Sequence, residues 1–86
     1  MIVRIPSPLL SYTDQRPEVR AEGTTLDEVL ADLDRRHPGL RFRVVDEHGR
    51  LRAHVRLYVN ETPSDDLSTA VGPQDVVHLV AALSGG

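Results

Sequence analysis

Residues 24–40, TTLDEVLADLDRRHPGL, carry the strongest periodicity in the chain and decide its fold. Apolar residues recur at i, i+3, i+4 and i+7, which is the spacing of one face of an amphipathic helix. Thr25 followed by Glu28 is a capping box at the start of this helix. The His-Pro-Gly sequence at 37–39 ends it. The four positions of the apolar stripe are Leu26, Val29, Leu30 and Leu33.

The segments before this helix alternate instead with period two. Residues 1–5, MIVRI, and residues 18–22, EVRAE, each place apolar side chains on one side, which predicts two strands of a hairpin. Residues 6–17 between them are rich in Pro, Ser and Asp, and we interpret them as a turn region.

Two further alternating segments follow the helix. Residues 54–60, HVRLYVN, predict a strand with Val55, Leu57 and Val59 facing inward. Residues 76–83, VVHLVAAL, predict the last strand. The side chains on the outward faces of these two strands include Arg56, Tyr58, His78 and Val80, with His54 at the start of the first.

The connections are less regular. Residues 40–53 fit either a short strand or a turn of helix, followed by an exposed loop at 47–50. Residues 61–66 and 72–75 have turn composition, and residues 67–71 form a short packed segment between them.

One helix packed on a mixed sheet is an α+β arrangement. If the first and last strands lie side by side and parallel, the crossover between them carries the helix, which gives a β-grasp fold with four to five strands. We therefore expect one domain over residues 1–81, followed by a flexible C-terminal Gly-Gly tail at 82–86.

Composition excludes several classes of function. The chain of 86 residues has no cysteine, which removes disulfides, thiolate metal sites and thiol nucleophiles. A net charge of −3 and only three aromatic residues argue against nucleic-acid binding. No apolar run approaches about 18 residues and no signal-peptide pattern is present, so we expect a cytoplasmic protein without membrane contact.

The order of these elements and the terminal Gly-Gly resemble the MoaD/ThiS family of ubiquitin-like sulfur carriers. The resemblance covers nearly the whole chain, and the end HLVAALSGG (residues 78–86) is also similar to the tail of ubiquitin. Residues 46–60, DEHGRLRAHVRLYVN, are most similar to carriers of the CysO type, which serve cysteine synthesis. Molybdopterin, thiazole and thio-metabolite synthesis remain alternative pathways for the sulfur.

The resemblance implies partners for the tail. An E1-like adenylating enzyme of the MoeB/ThiF type would use ATP to activate Gly86, sulfur would convert it to a thiocarboxylate, and a sulfur-accepting synthase would receive the sulfur. Because this chain has no cysteine, the sulfur must come from a partner's persulfide or from sulfide.

The chemistry of activation explains the glycines. An ionised carboxylate is a poor electrophile, so its carbon must be activated, typically as an acyl-adenylate inside another protein's nucleotide site. Glycine lets a backbone pass closely through such a site. We therefore assign Gly86 as the reacting residue and Leu83, Ser84 and Gly85 as the partner-binding segment that leads to it.

The alternative is a ubiquitin-like protein modifier or a non-catalytic β-grasp binding module. Ala82 and Ser84 stand where ubiquitin carries arginines, which favours the bacterial carriers over ubiquitin-type ligation. All ten basic residues are arginine. GC-rich coding explains this bias, and so does protection of an activated tail from lysine side chains on its own chain.

No residue pattern indicates catalysis by the chain itself. The four histidines lack the spacing of metal ligands, and Asp65 and Asp66 fit a solvated turn. We predict no catalytic residue, no metal site, no cofactor bound by this chain and no enzymatic activity. By strand parity, we predict that Arg56, Tyr58, His78 and Val80 form the docking face for partners.

Overall fold

The computed structural model describes residues 1–81. These residues fold into a five-stranded mixed sheet with one main helix. The elements in chain order are β1 (Ile2–Arg4), a 3₁₀ helix (Ser7–Thr13), β2 (Glu18–Arg20), α1 (Leu26–Arg36), α2 (Leu40–Val44), β3 (Val55–Val59), β4 (Thr62–Pro63) and β5 (Val76–Ala81).

The order of strands across the sheet is β2-β1-β5-β3-β4. β1 and β5 are adjacent and parallel, and the other neighbouring strands pair antiparallel. A parallel pair needs a crossover connection, and the chain between β1 and β5 includes α1. This is the predicted β-grasp arrangement, and its strand number is the upper of the two expected values.

The core lies between the inner face of the sheet and α1. All four residues of the predicted helical stripe are buried, and the helix begins and ends where the capping and stop signals placed it. Burying a Val or Leu side chain fully is worth about 1.5–3 kcal/mol, so this contact dominates stability. The strand residues that share the buried core cluster with this stripe are Val3, Val19, Val55, Leu57, Val77 and Leu79.

The capping box of α1 is displaced by one residue. The Thr25 hydroxyl accepts the Glu28 N–H at 3.2 Å, as predicted, but the Glu28 carboxylate accepts the N–H and hydroxyl of Thr24, each at 2.7 Å. These bonds, the Thr24 N–H first, hold the pKa of Glu28 below its usual value. The helix start is therefore fixed to the residue preceding its N-cap.

The hairpin is fastened to α1 at two points. A Cβ on Gly23 would lie 2.7 Å from the Val29 nitrogen, so only glycine allows the chain to pass this close to the first turn. The Asp32 carboxylate accepts the Glu22 N–H at 2.8 Å and also pairs with Arg36 at 2.8 Å. These contacts, the Glu22 N–H first, lower the pKa of Asp32.

The segment interpreted as a turn at residues 6–17 contains a seven-residue 3₁₀ helix. Pro8 lies near its start, where proline's fixed φ is tolerated. Leu9 is buried in the core, and the buried Thr13 hydroxyl lies 2.8 Å from the Arg16 carbonyl oxygen. Tertiary burial of these two side chains orders a segment whose composition alone indicated a turn.

Two connections between the main elements contain short regular elements of their own. Residues 40–53 begin with the short helix α2 rather than a strand. Gly39 precedes it with a φ of 96°, a conformation that favours glycine. Residues 61–66, predicted as a turn, include the two-residue strand β4, which pairs with Tyr58 and Val59 at the end of β3.

The longest helix of the described residues is α1, with 11 residues. Within residues 1–81, none of the helices has the length and apolar character needed to cross a membrane.

Candidate partner-docking face and tail exit

The four residues predicted for docking form one contiguous block. Arg56 lies directly opposite Val80, and Tyr58 lies directly opposite His78, across the β3–β5 pair. All four project from the outer face, because the residues between them are buried on the inner face. The structure thus brings together the side chains that parity predicted, and we call this block the docking face.

Val80 is the apolar member of the docking face. Its residue is 44% exposed, whereas the preceding Leu79 is 3% exposed. Within the described residues, the large hydrophobic residues that are exposed are Val80 and Phe42. Exposed apolar side chains rimmed by polar groups are typical of interaction sites.

Arg56 and its neighbours give this apolar residue a polar rim. The Arg56 guanidinium donates to the Asp65 carboxylate at 2.9 Å, and both side chains are solvent-exposed. An exposed pair of this kind adds little stability, typically about 0–1 kcal/mol. It orients the guanidinium beside Val80, so Asp65 contributes to the rim although the sequence indicated only a solvated turn.

The strand that leads to the tail is held on both sides. β5 is the central strand, bonded to β1 along one edge and to β3 along the other. It ends at Ala81, which lies opposite Val55. The tail therefore starts from an anchored strand at one end of the docking face.

Leu83, Ser84, Gly85 and Gly86 lie outside the described residues, as does the predicted flexible tail. Their assignments as partner-binding segment and reacting residue stay predictions.

The opposite end of β5 is fixed by a side-chain clamp. The Asn60 amide donates to the Asp75 carboxylate at 3.0 Å, and its oxygen accepts the Val76 N–H at 3.0 Å. Asp75 also accepts the Gly72 N–H at 2.8 Å, and this bond is the main cause of its lowered pKa. The clamp sets the register in which β5 enters the sheet, and therefore where Val80 emerges.

An exposed aromatic residue, linked through Arg52 to the start of β3, was missed by the sequence analysis. The Arg52 guanidinium lies 4.6 Å from the centroid of the Phe42 ring, and Arg52 Nε donates to the Phe42 carbonyl at 2.7 Å. The Arg52 carbonyl accepts the Val55 N–H at 3.0 Å, next to the pair that Val55 forms with Ala81. Phe42 is 55% exposed.

A signal for Phe42 was present in the sequence. Leu40 and Val44 are four residues apart and form the buried stripe of α2, so Phe42 between them must point away from the core. Phe42 is the only phenylalanine in the chain and is flanked by two arginines. Phenylalanine and arginine are both enriched in protein interfaces.

The remaining polar groups stabilise turns. The Asp66 carboxylate accepts the Ser68 hydroxyl at 2.7 Å and the Ser68 N–H at 2.9 Å, and these bonds lower its pKa. Asp46 accepts backbone N–H groups in the loop that follows α2, the Arg50 N–H foremost, and its pKa is lowered as well. Within residues 1–81, no three His, Cys, Asp or Glu side chains are grouped so that they could hold a metal ion.

The sequence is similar to known proteins over nearly its whole length. The model of the ThiS family matches residues 3–86. The sulfur carrier protein CysO of Mycobacterium tuberculosis (strain ATCC 25618 / H37Rv) is 35% identical over 89 residues, which covers 98% of this chain and 96% of that protein.

Solved structures agree with the fold. A chain in the crystal structure of the Amycolatopsis orientalis BexX/CysO complex superposes with a TM-score of 0.89 at 32% identity, covering 99% of this chain and 98% of that one. The crystal structure of SAMP1 from Haloferax volcanii superposes with a TM-score of 0.80 at 27% identity, covering 100% of this chain and 98% of that one.

Proposed function

This chain belongs to the ThiS family, and on that premise we propose that it is a sulfur carrier whose C-terminal Gly86 is adenylated and then converted to a thiocarboxylate. The observation that carries the proposal is the placement of β5. The central strand of the sheet ends at Ala81, beside an exposed docking face, and three residues separate it from a terminal Gly-Gly. This placement supports a role in which the C-terminus is offered to a partner.

The proposed chemistry proceeds in two steps on the partner. A Gly86 carboxylate oxygen attacks the α-phosphorus of ATP, and pyrophosphate leaves. The terminal sulfur of a persulfide then attacks the acyl carbon, and AMP leaves. A second thiol cleaves the resulting sulfur–sulfur bond, which yields the thiocarboxylate on Gly86 and a disulfide on the donor. The partner excludes water, because an acyl-adenylate hydrolyses readily.

In these reaction steps, this chain's role is to position its own C-terminal tail. The clamp at the start of β5 and the ladders on both of its sides fix where the tail begins. The docking face binds the adenylating enzyme, and Val80 is the apolar contact with an oriented Arg56 beside it. The carrier is thus a protein co-substrate in the cytoplasm, where its partners use ATP, and it is not itself an enzyme.

The similarity to CysO favours cysteine synthesis as the pathway that receives the sulfur. The relative in the BexX/CysO complex is a CysO bound to BexX, so we expect this chain likewise to dock on a sulfur-accepting synthase. Such a synthase would bind the same tail after the adenylating enzyme has released it.

A second candidate function is protein modification. The similarity to SAMP1, a small archaeal modifier protein, favours it. In this alternative an amine of a target protein, rather than sulfur, attacks the acyl carbon of the Gly86 adenylate, an amide forms and AMP leaves. The two reactions leave different products, since a carrier gains sulfur in place of oxygen at its terminus and a modifier gains a covalent bond to another chain.

Deletion of Gly86 tests the proposal. The deletion withdraws the carboxylate by about 3.5 Å. Misplacement by about 1 Å can already cost about 100-fold, so we expect thiocarboxylate formation to fall at least that far. The measurement is mass spectrometry of the carrier after incubation with ATP, the adenylating enzyme and a sulfur donor.

Gly86→Ala is the matched control, because it keeps the length and adds only a Cβ. We expect it to retain more activity than the deletion, and both variants should melt like the parent. Sulfur transfer to the deletion variant at the parent rate would overturn the assignment of Gly86 as the reacting residue, and a parent chain that gains no sulfur would overturn the carrier proposal and favour the binding-module alternative.

A further inference from the structure

The edge strand β2 leaves backbone groups open. It pairs with β1 through Met1 and Ala21, which exchange bonds of 3.0 and 3.2 Å, and through the Ile5 N–H, which donates to Pro17 at 2.8 Å. In an antiparallel ladder, bonded pairs alternate with non-bonded pairs. The N–H and C=O groups of Glu18 and Arg20 therefore point away from β1, toward the free edge of the sheet.

The open part of this edge has defined limits. The Glu22 N–H beyond it is bonded to Asp32, and the Arg16 N–H before it donates to the Thr13 carbonyl at 3.0 Å. Within residues 1–81, no hydrogen bond engages the backbone groups of Glu18 and Arg20 outside the β1 ladder. Two donors and two acceptors are thus presented together in extended geometry.

The side chains along this edge are complementary to themselves. Residues 16–22 read RPEVRAE. When two copies run antiparallel with Val19 opposite Val19, Glu18 lies opposite Arg20 of the other copy, and Arg16 lies opposite Glu22. This is also the register in which the open groups of Glu18 meet those of Arg20. Backbone pairing and charge pairing therefore select the same alignment.

Edge strands usually carry charges that prevent such pairing. Protection by charge requires like charges to meet, and opposite charges directly across a pair are stabilising. Along residues 16–22, which include β2, every charged position meets its opposite in the self-paired register. The other edge of the sheet differs, because β4 has only two residues and one of them is Pro63, which has no N–H to donate.

We infer that β2 is a self-recognition edge through which two copies of this chain associate about a two-fold axis at Val19. The sheets then join into one continuous sheet of ten strands. Because β2 runs antiparallel to its copy, the two β5 strands also run in opposite directions, and the two tails leave at opposite ends. This association is independent of the sulfur chemistry and leaves β3 and β5 uncovered at their docking faces.

The association is expected to be weak. Only two residues of each strand exchange backbone bonds, so the contact belongs to the class of transient interfaces below about 1,200 Å². We expect a dissociation constant on the order of 0.1–1 mM. Its strength should fall as salt is added, because the charge pairs are exposed to solvent.

Charge exchange tests the register. Glu18→Arg leaves two arginines in the open part of the edge, and Arg20→Glu leaves two glutamates. Either change replaces two attractive pairs by two repulsive ones, so each variant alone should associate about tenfold more weakly or worse. An equimolar mixture of the two variants should associate like the parent, because every arginine then faces a glutamate of the other chain. The double variant carrying both changes should also recover.

Sedimentation equilibrium and concentration-dependent amide shifts of Glu18 and Arg20 measure the association. Each variant is first checked by thermal melting, since Glu18 also pairs with Arg4 at 3.0 Å. Parent-like association of both single variants, or a mixture no stronger than either alone, would overturn the proposed register. A groove beside β2 includes Arg36 and His37 and could suit an acidic extended peptide instead. The self-recognition proposal is overturned if the parent chain is monomeric at about 1 mM and such a peptide shifts the amide signals of β2.

Discussion

The two faces of the sheet are made by alternate residues of the same strands, yet they differ in almost every physical respect. On β5, Leu79 is 3% exposed against α1, and the next residue, Val80, is 44% exposed on the docking face. The inner face excludes water and supplies most of the stability. The outer face has few apolar contacts of its own. If the docking face binds partners as proposed, fold and partner binding are encoded at alternate positions and should be separable by single substitutions.

The largest expected effect comes from breaking the inner face. Leu57 is fully buried at the centre of β3. Leu57→Ala removes methylene groups and leaves a cavity, which typically costs about 2–5 kcal/mol. For a domain of this size, each kcal/mol lowers the melting temperature by about 4–8 °C. Thermal melting followed by circular dichroism measures the loss.

Leu57→Met is the matched control, because it nearly conserves volume and should cost less than about 1.5 kcal/mol. Activity measured well below the melting temperature should remain close to the parent for both variants. A Leu57→Ala protein that stays folded but loses adenylation would contradict the separation of the two faces.

A smaller effect is expected on the outer face, and it concerns binding rather than stability. Val80→Asp places a charge on the docking face next to the end of β5, where the proposed contact with the adenylating enzyme would desolvate it. We expect adenylation at limiting carrier concentration to fall by about 10–100-fold, the range of an interface hot spot. The melting temperature should change little, because Val80 is exposed.

Val80→Thr keeps the β-branched shape without adding charge and should fall between the parent and Val80→Asp. Unchanged adenylation kinetics in Val80→Asp would exclude this face as the docking site. Reduced adenylation together with a large loss of stability would instead show that the two faces are coupled.

The smallest effect per residue is expected on the free energy of unfolding when the pH is lowered. In each of five carboxylates, hydrogen bonds hold the pKa below the ordinary value of 3.8 for Asp or 4.5 for Glu, and none of them belongs to the docking face. A carboxylate whose pKa is lower in the folded than in the unfolded chain stabilises the fold at pH values above its unfolded pKa. That stability is lost as the pH falls through the pKa of the folded state. These groups are Glu28, Asp32, Asp46, Asp66 and Asp75.

The free energy of unfolding should therefore be lost progressively below about pH 4.5, as these carboxylates are protonated. Denaturant unfolding between pH 7 and pH 3 measures the change. Asp32→Asn should reduce the pH dependence, because it removes one lowered carboxylate that bonds Glu22. Stability that rises with acid over this interval would contradict the assignment.

The sequence predicted best the features that depend on periodicity. The stripe at Leu26 and Leu30 fixed the main helix, and alternation placed Leu57 and Val80 on opposite faces. Both follow from local periodicity along one element. The parallel pairing of β1 with β5 was a condition of the predicted β-grasp fold, and the structure shows it.

Features that depend on tertiary burial were not predicted. The 3₁₀ helix forms because Leu9 and Thr13 find space in the core, and β4 forms because β3 offers an edge. The stacking of Arg52 on Phe42 joins residues ten apart across a loop. Neither propensity nor spacing indicates such contacts before the fold is known.

The parallel pairing of β1 with β5 has a practical consequence for labelling. Ile2 lies beside Val76, so the first residue of the chain and the last residue of β5 are at opposite ends of the sheet. With about 3.3 Å per residue, the six residues of β5 separate them by about 20 Å. Since residues 1–86 contain no lysine, they offer an amine-reactive dye no side-chain amine, and the amine among the described residues is the Met1 amino group. A fluorophore attached there would lie at the end of the sheet opposite Ala81.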